Sequence, residues 1–381
     1  MELIFSVDDF KINGFSYPNF PILLKSNNEI FTEALEFLIF YLIKRGSIRS
    51  TGSWKTLAQD LYDFFAFCEA NNLNWRNVKG TVDGMLLSIY RDVSMSQFSI
   101  SASTINRRLR FIIKFYEFAL NQRWIDDLPY GFTSVLVHRT KAFLLHTQAH
   151  GILTDRPDVL IKQRETKIKV LNSEQVKRLL VSIKNPTLKL MVRLGLLTGL
   201  RKSEILTFPS SYVVNPSNTT CRSHIKVSLN PQEMNIKGNE PRNILVPVTL
   251  MADLWHYKIH ERNALLAEQN SSTTCLFLNC YGKEWSLKSK SFNNQLNKLD
   301  LDFPRNPHIL RHTFATSTLK NLEERKVTEG LAFNPLLIVQ NLLGHKSINT
   351  TQNYLHFIHE LEEDLTTKYQ LEIEDIFHSL K

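Results

Sequence analysis

Four short stretches of this 381-residue chain collect side chains suited to moving a phosphoryl group. One is Thr198-Gly199-Leu200-Arg201-Lys202-Ser203-Glu204, with Arg201 just past a glycine and Glu204 three residues on. Another is His308-Ile309-Leu310-Arg311-His312, where His308 and Arg311 share one helical face. The third is Leu343-Gly344-His345, followed by Thr350-Thr351, Tyr354 and His356; the fourth is Lys237, in the turn-like Ile236-Lys237-Gly238-Asn239. Each has an ordinary reading on its own: an Arg–Glu pair at a helix start, a solvated turn lysine, a tyrosine at a core boundary. Together they supply two guanidiniums, several imidazoles, an ammonium and a phenol. Paired arginines clamp a phosphate that gains charge in a pentacoordinate transition state. A histidine or lysine can exchange protons with the attacking and departing oxygens. A phenol near imidazoles can be a nucleophile. No carboxylate cluster is spaced to hold Mg²⁺, so the cations must come from the protein itself. The implied chemistry is phosphoryl transfer through a covalent phosphotyrosine, with neither metal nor cofactor.

Such residues need a scaffold, and the hydrophobic periodicity supplies one. Helical pattern starts near Thr32 and stops at Gly46. Leu57, Leu61, Phe64, Phe65 and Cys68 form an amphipathic stripe, and a further helix is predicted over Val82–Val93. Ile105, Leu109, Ile112, Tyr116 and Ala119 line one face of a fourth helix, which also carries Arg107, Arg108, Arg110 and Lys114. Those cations are either a solvated face or a row of phosphate contacts. Residues 1–30 read as an extended arm or a short hairpin, 31–128 as a small helical domain, and 129–169 as a basic linker with a partly helical middle. A second domain, 170–372, opens at a capping box of Asn172 and Gln175. Leu188–Leu197 is its next helix, ended by Gly199. Alternation at Ile225, Val227 and Leu229, then Asn243–Val248, predicts a hairpin with Lys237 in its turn. A helix closes at Gly344, and Tyr354 falls in a short helix beyond it. Residues 373–381 form a tail. The class expected is mostly α (α+β), without the strand–helix alternation of a parallel sheet.

Composition fits this picture. The formal net charge is +9 and the pI about 9.2, an excess that points to an anionic partner such as nucleic acid. Four cysteines show no CxxC pairing, so buried free thiols are expected. The first residues are acidic where a secretory leader would be basic, and the longest apolar run, Phe37–Ile43, is too short to span a bilayer. A cytoplasmic protein with no membrane partner is expected.

The order Thr-Gly-Leu-Arg-Lys-Ser-Glu, hairpin Lys, His-x-x-Arg-His, Leu-Gly-His and Tyr resembles the tyrosine recombinase (phage integrase) family. Thr104-Ile105-Asn106-Arg107-Arg108-Leu109 is similar to the helical core-binding (SAM-like) domain of the same enzymes, so the resemblance covers roughly residues 32–372. It implies that Arg201 and Arg311 bind the non-bridging oxygens of the scissile phosphate and that His345 hydrogen-bonds it. His308 would be the acid/base partner of the tyrosine, and Lys237 would protonate the leaving 5′ oxygen. Tyr354 would form an O-(3′-phospho-DNA)-tyrosine intermediate, with Glu204 supporting the site. Arg107, Arg108, Arg110 and Lys114 would contact DNA.

The implied activity is site-specific recombination, integrating or excising a mobile element. The implied partners are double-stranded DNA and three further copies of the chain, a homotetramer on two sites, with Leu361–Leu380 as a docking helix. The setting would be bacterial or phage-type and nucleoid-associated. A type IB topoisomerase-like nicking-closing enzyme and a catalytically silent DNA-binding regulator are the alternatives. Two departures stand out. The interval from Arg311 to His345 is long, with Asn321–Pro335 reading as an exposed insertion. The long hairpin also leaves Lys226 as a second candidate acid.

Overall fold

The computed structural model describes residues 1–46, 51–79, 84–137, 152–162, 168–218, 223–269, 272–330, 332–348, 350–352 and 354. Two compact units divide the chain, Met1–Glu165 and Thr166–Lys381.

In the first unit, the opening thirty residues are two nested hairpins. Strand β1 (Glu2–Phe5) pairs antiparallel with β4 (Pro21–Leu24), and between them β2 (Lys11–Ile12) pairs with β3 (Phe15–Ser16). The inner turn, Asn13-Gly14, takes positive φ at both residues, as a tight hairpin requires. Phe20 and Leu23 of this region are fully buried. Helix α1 (Thr32–Leu38) runs into a π-helical turn over Ile39–Lys44, and α2 (Thr51–Ala70), α3 (Leu86–Ser96) and α4 (Ala102–Asn121) follow. All five α4 stripe residues are completely buried, against an aromatic core that includes Phe37, Phe65, Trp75 and Phe115.

The expected linker at 129–169 is largely something else. Within it β5 (Phe132–Val137) pairs antiparallel with β6 (Ile152–Pro157). Val159 is buried in the first unit's core, and the Asn106 side chain of α4 both donates to and accepts from the backbone of Ile161. The helix expected in the middle of this stretch falls at residues 138–151, outside the described ones, as do Arg164 and Lys167 of its basic end.

The second unit starts at the expected capping box, Asn172 with Gln175, which opens α5 (Ser173–Ser182). Helix α6 (Pro186–Thr198) is apolar on almost every face and ends at Gly199, whose φ is +66°. A Cβ at Gly199 would lie 2.4 Å from Phe314 and 2.9 Å from Leu343, so this helix end packs as glycine and nothing larger. The short α7 (Lys202–Leu206) follows. Strands β7 (His224–Leu229) and β8 (Arg242–Pro247) form the expected antiparallel hairpin, with Ile225, Val227, Ile244 and Val246 turned inward. Then come α8 (Val248–Tyr257), α9 (Asn263–Gln269), α10 (Ser291–Asn297), α11 (Pro307–Thr328) and α12 (Pro335–Leu343).

Helices α6, α11 and α12 all begin with Asn-Pro. In each, the asparagine side chain caps the first amides and proline takes the first helical position, where no N–H is needed.

The expected class, mostly α with small antiparallel sheets, is the one observed. The stretch read as an exposed insertion is mainly a helical extension, since Asn321–Thr328 are the last turns of α11. Cys68 and Cys275 are buried free thiols, whereas Cys280 is exposed, contrary to expectation; Cys221 lies outside the described residues. No helix among the described residues is long and apolar enough to cross a membrane.

Candidate active site

The residues singled out for chemistry belong to the second unit, most of them near Arg311 on α11, and His356 lies outside the described residues. The Arg311 side chain is buried, donating from Nη1 to the Gly199 carbonyl and from Nη2 to the Leu343 carbonyl, both at 2.7 Å. One arginine therefore ties together the C-terminal ends of α6 and α12. Burial and the neighbouring Arg201 cation lower its pKa, but a guanidinium with two carbonyl acceptors keeps its proton at neutral pH.

Arg201 caps α7, four residues before that helix's Ile205. Its backbone N–H donates to Glu204 Oε2 at 2.7 Å and its Nη1 to Oε1 at 3.1 Å. Glu204 has no exposed surface. It also accepts from Arg242 Nη1 at 3.0 Å and Nη2 at 2.6 Å, a bidentate pair. Burial alone would raise the Glu204 pKa. The hydrogen bonds and charge of Arg242, then Arg201, outweigh it and hold the carboxyl below its usual range. Arg242 was not among the residues expected to matter. It opens β8, and its Nε also donates to the Leu342 carbonyl at 3.2 Å. Gly344, with φ of +65°, makes room for it, because a Cβ there would meet Arg242 Cδ at 2.8 Å.

Asn306 caps α11 and sets His308 in its first turn, exposed at the edge of the site. Its pKa is lowered by partial burial, then by the charges of Arg311, Arg201 and Lys237. That last influence is the link between the hairpin turn and the site. Lys237 is exposed in the turn, while Lys226 projects from the exposed face of β7 opposite Leu245. The turn is tethered to the loop after α12 by the exposed pair Lys346–Glu240, 2.8 Å apart.

Beyond Gly344, His345 Nδ1 lies 2.9 Å from the hydroxyl of fully buried Thr351. Ile348, Thr350, Thr351, Gln352 and Tyr354 have helical conformation, as anticipated. Tyr354 is 3% exposed, and its ring lies parallel to His345 with centroids 6.2 Å apart. Its hydroxyl is 3.0 Å from Nδ1 of His312, not of His308. The two histidines occupy successive turns of α11, their rings 4.2 Å apart. Burial raises the Tyr354 pKa, with Arg311 and Arg201 opposing, so the phenol rests protonated. His312 is pushed down to about 4 by burial, His308 and Arg311; His345 to about 3 by burial, Arg311 and Arg201. Both imidazoles are neutral at pH 7. The arrangement offers cations and neutral hydrogen-bonding groups around a protonated phenol, with Glu204 the carboxylate in direct contact with the arginines.

The cations expected to touch DNA in the first unit are mostly engaged internally. Arg107 pairs with buried Asp60; Arg108 reaches Asp63 at 2.7 Å; Lys114 reaches the Tyr41 hydroxyl at 2.6 Å. Arg110 is exposed.

Residues 169–360, just over half of the chain, match the model of the phage integrase family. Tyrosine recombinase XerD of Rickettsia bellii is 27% identical over 333 residues, covering 84% of this chain and 92% of that protein. Tyrosine recombinase XerC of Roseiflexus castenholzii is 31% identical over 248 residues, covering 59% and 67%. Among solved structures, XerH recombinase bound to palindromic difH substrate in a post-cleavage complex aligns with a TM-score of 0.53 at 18% identity, over 89% of this chain and 88% of that one. The Tn1549 transposon integrase in complex with transposon right end DNA aligns with a TM-score of 0.52 at 16% identity, over 87% and 98%. These two likenesses carry the fold.

Proposed function

The chain belongs to the phage integrase family, the tyrosine recombinases that cleave and rejoin DNA strands, and from that premise we propose the roles of its own residues. Tyr354 attacks the scissile phosphorus, the bond to the 5′ oxygen breaks, and a 3′-phosphotyrosine forms. Arg201 and the outward N–H groups of Arg311 hold the non-bridging oxygens, and His345 adds a hydrogen bond. Lys237 protonates the 5′ oxygen, a choice over Lys226 supported by the reach of its charge to His308. His308, at the exposed edge, exchanges protons at the phosphate. Glu204 holds Arg201 in place. The phosphodiester's energy is kept in the covalent link, so rejoining to a new 5′ hydroxyl needs no nucleotide triphosphate.

The observation that carries this reading is the convergence of Arg201, Arg311, His345 and Tyr354, which come from three separate stretches of the chain, around the ends of α6 and α12.

The wider setting is also our reading. Residues 31–128 and 170–372 act as DNA-holding and catalytic parts on double-stranded DNA, with Arg107, Arg108, Arg110 and Lys114 facing the backbone. Four copies work on two sites in a bacterial or phage-infected cytoplasm, at the nucleoid, integrating or excising a mobile element. The name of the Tn1549 neighbour, a transposon integrase, supports the mobile-element part of this reading, and that of the Xer relative supports recombination. The docking helix expected at Leu361–Leu380 lies outside the described residues.

The test works without a known target sequence. A pool of nicked duplexes with randomised sequence is incubated with the full chain, and DNA linked covalently to protein is captured and sequenced. Wild type should enrich one sequence, and Tyr354→Phe should capture nothing. An empty capture with wild type overturns the reading.

A further inference from the structure

We propose that His312, rather than His308, accepts the proton of Tyr354 as its phenol oxygen attacks phosphorus, an inference resting on the recombinase reading above. A base must stand within hydrogen-bond reach of the proton it removes. Among the described residues, His312 Nδ1 meets that condition at 3.0 Å and is the hydrogen-bond partner of the Tyr354 hydroxyl. His308 sits one helical turn away, exposed, with its ring 4.2 Å from that of His312. A ring that receives a proton on Nδ1 can release another from Nε2, so His308 and the solvent at its edge form the exit.

Bonds and protons balance. The Tyr354 O–H bond breaks as an Nδ1–H bond forms on His312. The phenol oxygen bonds to phosphorus as the bond to the 5′ oxygen breaks, and that oxygen takes its proton from Lys237. The His312 imidazolium then loses its Nε2 proton to His308 or water.

The charges around His312 suit a base that waits for substrate. His308 and Arg311 face it from its own helix, Tyr354 and His345 from the segment after α12, and Arg201 acts on both of those partners. With no anion present, burial first and then the charges of His308 and Arg311 keep the ring neutral, with Nδ1 open to the phenol. A phosphodiester held by Arg201 and Arg311 would offset their charges and make the imidazolium easier to form. Neutral and acceptor-ready before binding, more basic after it, the ring changes in the direction catalysis requires.

The test uses the full chain and the duplex enriched by covalent capture, resynthesised with sulfur in place of the bridging 5′ oxygen. A thiolate leaves without protonation, so the rate of adduct formation reports the phenol side alone. Lys237→Ala should approach wild type on this substrate. His312→Gln should be slower by about 10²-fold, the usual contribution of general base catalysis, and should lose the fall in rate that wild type shows at low pH. His312→Asn, which also hydrogen-bonds but cannot take the proton, should behave alike, with thermal unfolding and DNA binding checked for both. If either folded variant stays within threefold of wild type with the acid limb intact, or if His308→Gln removes that limb instead, the assignment to His312 is overturned while the recombinase reading stands. If wild type captures no duplex, the recombinase reading fails and takes this one with it.

Discussion

Replacing Arg242 by alanine should damage the site without touching any group expected to meet the phosphate. In wild type, Glu204 is completely buried and accepts four hydrogen bonds, two of them from Arg242. The substitution strips away that half and also frees the Leu342 carbonyl. Removing one partner of a buried ion pair costs about 3–5 kcal/mol. Because Arg201 still holds the carboxylate by a backbone and a side-chain bond, the lower end, about 3 kcal/mol, is expected. In a unit of this size each kcal/mol moves Tm by roughly 2–4 °C, which gives a fall of roughly 6–12 °C. The pH dependence carries a signature of its own. A carboxyl held below its unfolded value stabilises the fold above that value, about 4.3, and the benefit disappears as pH falls through the folded pKa. Without Arg242, burial dominates and that acid slope flattens or reverses. Thermal and denaturant unfolding of wild type, Arg242→Ala, Glu204→Gln and the double variant would measure both effects, with a coupling above about 1 kcal/mol between the two positions. A loss under 1 kcal/mol, or strict additivity in the double variant, would refute the picture of a buried Arg–Glu–Arg support.

Gly199→Ala should cost about 3 kcal/mol or more, since it adds a left-handed penalty of about 1–2 kcal/mol to a clash with Phe314 and Leu343; denaturant midpoints would check this. His312 and His345 are held well below the unfolded histidine value, so the fold favours their neutral forms. Their contribution is complete above about pH 6.5 and declines as pH falls from there toward their folded values. At pH 5 each should cost about 1–2 kcal/mol after allowance for partial exposure, and His345→Gln should remove its share in unfolding measured at pH 7 and pH 5. On the captured duplex, Arg110→Ala should reduce the slope of log Kd against log salt by about 1. Arg107→Ala should change it less, because that guanidinium already has Asp60.

Much of the scaffold was legible because its signals are local. The α4 stripe is buried at every position foreseen, and the Asn172–Gln175 box opens α5 as read. The Asn-Pro starts of α6, α11 and α12 are equally local signals, a capping side chain followed by a residue with no N–H to satisfy. The ribbon of β5 and β6 left no such trace, since Phe132, Val135 and Leu153 are exposed and no alternation marks a buried face. Arg242 was invisible for another reason: its partners are 38 and 100 residues away in sequence, and a strand-opening arginine has no periodicity to betray it. His312 lay in view beside Arg311. Spacing puts it on the same side of α11 as His308, yet which of the two meets Tyr354 depends on where the segment after Gly344 docks.

The two carbonyls that grip Arg311 close the C-terminal ends of α6 and α12, where the helix dipole amounts to about half a negative charge. The central cation of the site thus has a counter-ion with no side chain. Such a counter-ion never takes up a proton, so acid reaches this site through its histidines and Glu204 and leaves the grip on Arg311 intact. It is also weaker than a carboxylate, and so would compete less for the same guanidinium with the phosphate we propose. And because it is main chain, substitution cannot delete it; only a shift of a helix end can, which makes Gly199 and Gly344 custodians of a charge they do not carry.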